Sequence, residues 1–114
     1  MKIVQVLATS GGVGGLEQHT FNLVNELALN HEVHVIAHPC YLDKFSQQVH
    51  FHAVDFARSR WNIFLLWHLK NLIQQIQPAI VHAQAGKAAE LIARIKPFLS
   101  GPKFVTTVHG TKNN

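Results

Sequence analysis

A glycine-rich loop is the first feature of this sequence that could bind a ligand. Residues 9–15 read TSGGVGG, between an apolar run and a helical pattern. The N–H groups at a helix N-terminus are unpaired and the helix dipole favours negative charge, so this loop could hold a phosphate. Gly14 and Gly15 lack a Cβ and would let the phosphate approach their backbone closely. The simpler interpretation, that the glycines only permit a tight turn, stays open.

Two sharper nucleotide-binding motifs are not present in this loop. A dinucleotide-binding fingerprint would continue the Gly-x-Gly of residues 12–14 with a glycine at position 17, which is Glu17. The second strand ends at His38 rather than at an acid that could bind a ribose. A P-loop needs Gly-Lys-Ser/Thr, and no lysine lies near the loop. The loop therefore indicates anion binding without naming the ligand.

The chain has nine histidines, and four of them fall where chemistry could occur. His82 and His109 are predicted at the carboxyl ends of neighbouring strands; we favour a functional role for His109 and a structural one for His82. His50 and His52 share one face of a strand, which could begin a metal site, but the sequence indicates no third ligand. We interpret them as surface residues. No nucleophile–histidine arrangement and no carboxylate pair for hydrolysis is indicated.

Apolar periodicity predicts the elements that position these residues. The predicted strands are 2–8, 32–37, 49–56, 79–83 and 103–108, and the predicted helices are 16–29, 61–77 and 86–96. Alternating strands and helices predict an α/β fold, a Rossmann-like doubly wound parallel sheet of five strands in the order 3-2-1-4-5 with helices on both faces. Asn30 is expected to end the first helix in the left-handed conformation.

The carboxyl ends of the strands are the expected ligand-binding edge of such a sheet. This edge would bring together the glycine loop, His38, residues 82–86 and residues 109–112. The fifth strand lies at one edge of the predicted sheet, and its open edge is expected to pair with a second chain or to be capped in another way.

Composition narrows the class of protein. The chain has 114 residues, 47% of them hydrophobic and 14% charged, which is typical of one globular domain. The longest apolar run is residues 63–67, too short to span a membrane as a helix. Cys40 is the lone cysteine, which excludes an internal disulfide and fits a reducing compartment.

Charge is distributed unevenly along the chain. Residues 1–57 carry two cations and five acids, a net charge of −3, whereas residues 58–114 carry eight cations and one acid, a net charge of +7. This asymmetry indicates an anionic partner, such as a phosphorylated small molecule, an acidic lipid or a nucleic acid, or else only solvated helix faces. Trp61 and Trp67, beside Arg58 and Arg60, could touch an acidic membrane, although core packing is their simpler use.

Three segments resemble the retaining glycosyltransferases of family 4, which have the two-domain GT-B fold. Residues 1–37 are similar to the opening of that family. PAIVHAQ at 78–84 and KFVTTVHG at 103–110 resemble its fourth and fifth strands, where the usual patterns are PDIVHAH and VHG. The similarity covers essentially all of the chain. Ala79, Gln84 and Asn30 replace the usual Asp, His and Gly, and Gln84 could change which acceptor fits.

The resemblance implies roles for five residues. Gly15 would contact the diphosphate of a nucleotide-sugar donor through its backbone, and Gly14 would shape the same turn. Glu17 and Gln84 would face the acceptor. His109 would lie beside the transferred sugar as the catalytic residue. No metal and no cofactor are expected, because the nucleotide-sugar is a co-substrate.

The resemblance also implies a place for the chain in a larger enzyme. Residues 1–114 are expected to be one domain, the incomplete N-terminal, acceptor-side part of a glycosyltransferase, inactive by itself. The expected acceptor is a saccharide or a lipid-linked molecule in bacterial surface polysaccharide or lipopolysaccharide assembly. The expected location is the cytoplasm, where the protein could touch the inner face of the plasma membrane, and no nucleic-acid partner is expected. The alternative is a non-catalytic nucleotide- or phosphate-binding Rossmann-like module.

Overall fold

The computed structural model describes residues 1–9, 12–56 and 62–107, and its centre is a five-stranded sheet. The strands are β1 (Lys2–Leu7), β2 (Glu32–Ala37), β3 (His50–Ala53), β4 (Ile80–Gln84) and β5 (Lys103–Thr107). The helices are α1 (Gly15–Leu27), α2 (Ile63–Ile76) and α3 (Ala85–Ile95), with 3₁₀ turns at Pro39–Lys44 and Lys96–Phe98. The sequence analysis predicts roles for His109 and Trp61, and both residues lie outside the described ranges.

All pairs of neighbouring strands are parallel, and the strand order is 3-2-1-4-5 as predicted. Leu7 is in register with both Ala37 and Gln84, and Gln84 is in register with Thr107. The strands β2, β1, β4 and β5 therefore end level with one another, and the segments that follow them meet at one edge.

Helices cover both faces of the sheet, which confirms the predicted layers. On one face α1 packs through Phe21 and Val24 onto Leu7 and Val33. On the other face α2 and α3 bury a larger apolar cluster. Its buried members from the strands include Val4, Val6, Ile36, Val81 and Ala83. β1 is covered on both sides and is mostly apolar along its length, whereas β4 alternates apolar and polar residues from Val81 onward.

The helix ends differ from the sequence prediction at Asn30. Helix α1 ends at Ala28 in the right-handed conformation, and the N–H of Asn30 donates to the carbonyl of Leu27 over 3.1 Å. This 3₁₀-type turn closes the helix, so no left-handed residue is needed there. The left-handed cap is Gln77 at the end of α2, the only non-glycine residue with positive φ in the described part of the chain.

The strand β5 lies at the edge of the sheet, and the α1 face of this strand is partly open. Val105 is 47% exposed there, although it sits in register with His82 of β4. Pairing of this edge with a second chain stays a prediction. Within the described ranges, no helix is both long enough and apolar enough to cross a lipid bilayer.

Candidate functional site

β1 and β4 run side by side in the sheet, and we call the region beyond their carboxyl ends the crevice. The chain leaves β1 into α1 on one face and leaves β4 into α3 on the other. This divergence is the topological switch point at which parallel α/β sheets bind ligands. Both helices begin at this edge, so their unpaired N–H groups and the positive ends of their dipoles face the same region.

The glycines of the β1–α1 loop are not required by the described backbone. Gly14 caps α1 in an extended conformation, and Gly101 is the only described glycine with a left-handed φ. A Cβ added at Gly15 would meet nothing within 4 Å, and one at Gly14 would meet only the Glu17 carboxylate at 3.4 Å. Both residues are exposed at the crevice. Neither a tight turn nor internal crowding therefore accounts for the glycine pair.

Glu17 closes the first turn of α1. Its carboxylate accepts a hydrogen bond from the Gly14 N–H over 2.9 Å. Burial is the largest single influence and opposes ionisation, but hydrogen bonds from Gly14, from the Glu17 N–H and from the Thr9 hydroxyl outweigh it and lower the pKa of Glu17. The carboxylate is therefore ionised near neutral pH. It occupies the Gly14 N–H, so an anion at this end of α1 would have to use the N–H groups of later residues.

Tyr41 supports the glycine loop from below, and the sequence analysis did not identify it. The residue is buried in the 3₁₀ turn after β2, and its hydroxyl donates to the Gly12 carbonyl over 2.8 Å. The same oxygen lies 3.3 Å from the Thr9 hydroxyl, and the ring packs against Phe21. The contact could have been suspected from chemistry alone. A buried tyrosine hydroxyl needs a hydrogen-bond partner, and an irregular loop offers backbone carbonyls that no helix or strand uses.

His38 lies at the same edge, at the end of β2. Its Nδ1 accepts a hydrogen bond from the Cys40 N–H over 3.1 Å, and its Nε2 is 3.6 Å from the Asp55 carboxylate that follows β3. These contacts hold the imidazole beside the turn that carries Tyr41. The histidine therefore helps to order the outer wall of the edge, away from the switch point between β1 and β4.

Polar side chains of β1 and β4 form a row beneath the crevice. Gln84 donates from Nε2 to the Gln5 carbonyl oxygen over 2.8 Å, and this nitrogen is also 3.3 Å from Nδ1 of His82. Gln84 is only 1% exposed, and its Oε1 has no hydrogen-bond partner among the described residues. Gln84 therefore lies under the crevice rather than on its surface, and the predicted acceptor contact stays a prediction. His82 is half-buried in the same row.

The structure thus brings three of the five predicted site residues together. Gly14, Gly15 and Glu17 form one continuous feature at the start of α1, and Gln84 ends the adjacent β4. His109 lies outside the described residues, two positions after the end of β5.

His50 is exposed, as the sequence analysis expects, and His52 is half-buried, but both contact a third histidine. His34, on the neighbouring strand, lies 2.9 Å from His52 through Nδ1 and Nε2, and its ring stacks on that of His50. Burial, followed by the charges of His34 and His50, lowers the pKa of His52. No local pattern marks this cluster, because strand pairing brings His34 beside histidines that are 16 and 18 positions away.

The outer surface of α2 is strongly apolar. Phe64 and Trp67 are 72% and 64% exposed, so the interpretation of Trp67 as a core residue is wrong. These side chains line a groove of about 450 Å³ between α2 and the end of α3. The groove is lined by Ile63, Phe64, Trp67, Phe98, Lys70 and Arg94, among others. We call these six residues the α2 patch.

Comparison with protein families gives one match. A family model described as Glycosyltransferase Family 4 matches residues 13–113, which include the start of α1 and every element after it. No curated protein matches the chain.

Proposed function

Because this chain belongs to glycosyltransferase family 4, we propose that it forms the acceptor-side domain of a two-domain, retaining GT-B enzyme. The enzyme would transfer a sugar from a nucleotide-sugar to a saccharide or lipid-linked acceptor. The observation that carries the proposal is the Gly14–Gly15 pair at the switch point, which neither the backbone conformation nor crowding explains. A ligand that must lie against the backbone would explain it.

The diphosphate of the donor is the ligand that best fits this position. The start of α1 presents N–H donors and the positive end of the helix dipole, which stabilise a phosphate without a metal ion. Glu17 already holds the Gly14 N–H. The Gly15 N–H is therefore the donor that we assign to the diphosphate, and the open space around its Cα lets a phosphate oxygen come close.

The remaining roles are the ones that the family resemblance implies for the other residues. The ionised Glu17 carboxylate is half-exposed beside the glycines, where it could accept a hydrogen bond from an acceptor hydroxyl. Gln84 is 1% exposed, so its oxygen, which has no partner among the described residues, could contact an acceptor only if the side chains above it move. We assign the position beside the transferred sugar to His109, because it follows the strand that ends level with Gln84.

The transfer itself balances without a cofactor. The bond between the anomeric carbon and the diphosphate oxygen breaks, and the nucleoside diphosphate leaves with the bonding electrons. A new bond forms from the acceptor hydroxyl oxygen to the anomeric carbon on the same face of the sugar. The hydroxyl proton passes to the departing diphosphate. Donors at the start of α1 would stabilise the negative charge that develops on this leaving group.

Assay of the two-domain enzyme tests this proposal against a non-catalytic nucleotide-binding module. We expect release of nucleoside diphosphate from at least one member of a panel of nucleotide-sugars, dependent on acceptor, with the anomeric configuration of the donor kept in the product. NMR spectroscopy of the product measures the configuration. Inversion would refute the retaining mechanism. Binding of a donor without turnover, for every acceptor class supplied, would favour the non-catalytic module.

We propose in addition that the α2 patch rests on an anionic membrane surface, on the cytoplasmic side where lipid-linked acceptors would be met. The patch combines exposed aromatic and aliphatic side chains with Lys70 and Arg94. Aromatic rings prefer the headgroup level of a bilayer, and cations nearby are attracted by anionic lipids. The patch also lies in the half of the sequence that carries a net charge of +7, which favours an anionic surface over another apolar protein face.

Vesicle binding tests the membrane proposal. Trp67→Ser should weaken binding to vesicles of phosphatidylglycerol and phosphatidylcholine about fivefold, because it removes part of the inserted apolar area. Vesicles of phosphatidylcholine alone should bind at least about fivefold more weakly than the mixture. Leu42→Ser is the matched control, since Leu42 is equally exposed but lies in the 3₁₀ turn after β2. Unchanged binding by Trp67→Ser, or binding that ignores lipid charge, would contradict the proposal.

A further inference from the structure

Four side chains with metal-binding groups lie close together on β2 and β3, three of them towards the amino ends of these strands. Glu32 and His34 lie on β2, and His50 and His52 lie on β3. His34 is in register with His50, and His52 is in register with Ile36, which places the cluster on the α2 side of the sheet. The cluster is at the opposite end of the strands from the crevice, so it plays no part in the proposed transfer.

The cluster is already close to the size of a coordination shell. The Glu32 carboxylate oxygen Oε2 is 2.6 Å from Nε2 of His34. One ligand atom each from Glu32, His34 and His50 lie within 4.8 Å of one another. Glu32 and His50 are exposed, whereas His34 is buried between its neighbours. The two exposed ligands could close around an ion from the solvent side, against the buried His34.

From this geometry we propose that Glu32, His34 and His50 bind one Zn²⁺ ion, with water as the fourth ligand. Imidazole nitrogen and a single carboxylate oxygen are ligands that Zn²⁺ accepts in tetrahedral geometry. Bonds of about 2.0–2.1 Å at the tetrahedral angle would hold the ligand atoms about 3.3 Å apart. The exposed Glu32 carboxylate must therefore withdraw slightly from His34, which its position at the start of β2 permits.

His52 fits the role of a positioning residue behind this site. If Nε2 of His34 binds the ion, its Nδ1–H can donate to Nε2 of His52, and these two nitrogens are 2.9 Å apart. A ligating histidine usually donates its second N–H in this way, which fixes the tautomer and the ring orientation. The stacking of His34 on His50, with ring centroids 4.5 Å apart, further limits rotation of both rings.

Lys2 is a cation that would compete with a bound ion for the Glu32 carboxylate. Its ammonium nitrogen lies 3.9 Å from Oε2 of Glu32 and donates to the Ile76 carbonyl over 2.9 Å. The second contact ties Lys2 to the end of α2, so the ammonium can remain there when Glu32 turns towards a metal. The ion would then link β3, the edge strand, to β2 and stabilise this side of the sheet.

Titration of the untagged 114-residue chain with ZnCl₂ tests the proposal. We expect one ion per chain with micromolar or tighter affinity near pH 7.5, and a rise in the unfolding midpoint on the order of 10 °C at 100 times the Kd. His50→Gln should weaken binding at least about tenfold, and His52→Gln by about 10- to 100-fold. His68→Gln, an exposed histidine on α2, is the matched control and should bind as the wild type does.

The visible absorption of Co²⁺ gives a second readout that needs no variant. Bound Co²⁺ should show the intense d–d bands of a tetrahedral site, and Zn²⁺ should abolish them. Binding weaker than millimolar in the wild-type chain would overturn the proposal. Affinity that is unchanged in His50→Gln, or lowered equally by His68→Gln, would also overturn it, because the ion would then be held by scattered surface histidines.

Discussion

Replacing His109 with alanine is expected to lower the transfer rate of the two-domain enzyme by about 10²-fold or more, while the fold survives. A positioned polar group beside the reacting centre acts on charge that develops only in the transition state, and its removal typically costs this much. The KM for the donor should change little, since the diphosphate is assigned to α1. Steady-state kinetics measures both quantities.

His68→Ala is the control for this prediction, because His68 is exposed on α2 beside the end of β3, at the opposite edge of the sheet from β5. Its turnover should equal that of the wild type. If His109→Ala retains a rate within a few-fold of the wild type, His109 is a structural residue and the assignment of the catalytic group is wrong.

Replacing Gly15 with valine should raise the KM for the donor by about 10- to 100-fold. A hydrogen bond to a charged group contributes about 1.5–3 kcal/mol, and the new side chain would keep the phosphate from the N–H groups that make such bonds. Stability should be nearly unchanged, because a Cβ at this position meets nothing within 4 Å. Donor kinetics and urea denaturation of the same preparation separate the two effects.

Gly12→Val is the matched control in the same loop. Gly12 also has open space for a Cβ, but its carbonyl is held by Tyr41 and it precedes the helix start. The control should leave the donor KM within a few-fold of the wild type. If both variants raise the donor KM equally, any larger side chain in this loop disturbs the loop itself. The assignment of the diphosphate to Gly15 would then be wrong.

Much of the fold was predictable because its signals are local. The strands are short, β-branched runs and the helices repeat their apolar residues at helical spacing, so alternation predicted the parallel sheet and its order. The prediction failed at Asn30, where residue type suggested a left-handed cap and a 3₁₀ turn closes the helix instead. Gln77 has no sequence feature that marks it as left-handed; the chain must turn there before Pro78.

The candidate site was predictable only where its residues are consecutive. Gly14, Gly15 and Glu17 belong to one loop and one helical turn, so spacing alone placed them together. Tyr41 reaches the loop from 29 positions away, through the 3₁₀ turn after β2. The burial of Gln84 likewise depends on its partner Gln5, 79 positions earlier. Contacts of this kind depend on strand register and packing, which no local pattern encodes.

The proposed enzyme has its acceptor side in this chain and recognises most of the donor in another domain. This arrangement also predicts how the chain behaves by itself. Transfer requires donor and acceptor together in a cleft that excludes water, and in the proposed enzyme this domain would supply only one wall of that cleft. The isolated chain should therefore show no transfer activity. Its crevice offers helix N–H groups for a diphosphate, and we assign recognition of the base and ribose to the other domain.

The most direct test of whether the start of α1 binds the donor diphosphate is an NMR titration. The isotopically labelled 114-residue chain is titrated with nucleotide-sugars, and the backbone amide shifts are measured. We expect the chain to bind nucleotide-sugars weakly, in the millimolar range. The amide shifts should be concentrated at the start of α1 around Gly15 and should be absent in Gly15→Val. Inorganic pyrophosphate should produce the same shifts, because the diphosphate is the group that is bound. Micromolar or tighter binding, or shifts centred away from α1, would contradict the assignment of a bare diphosphate site to this domain.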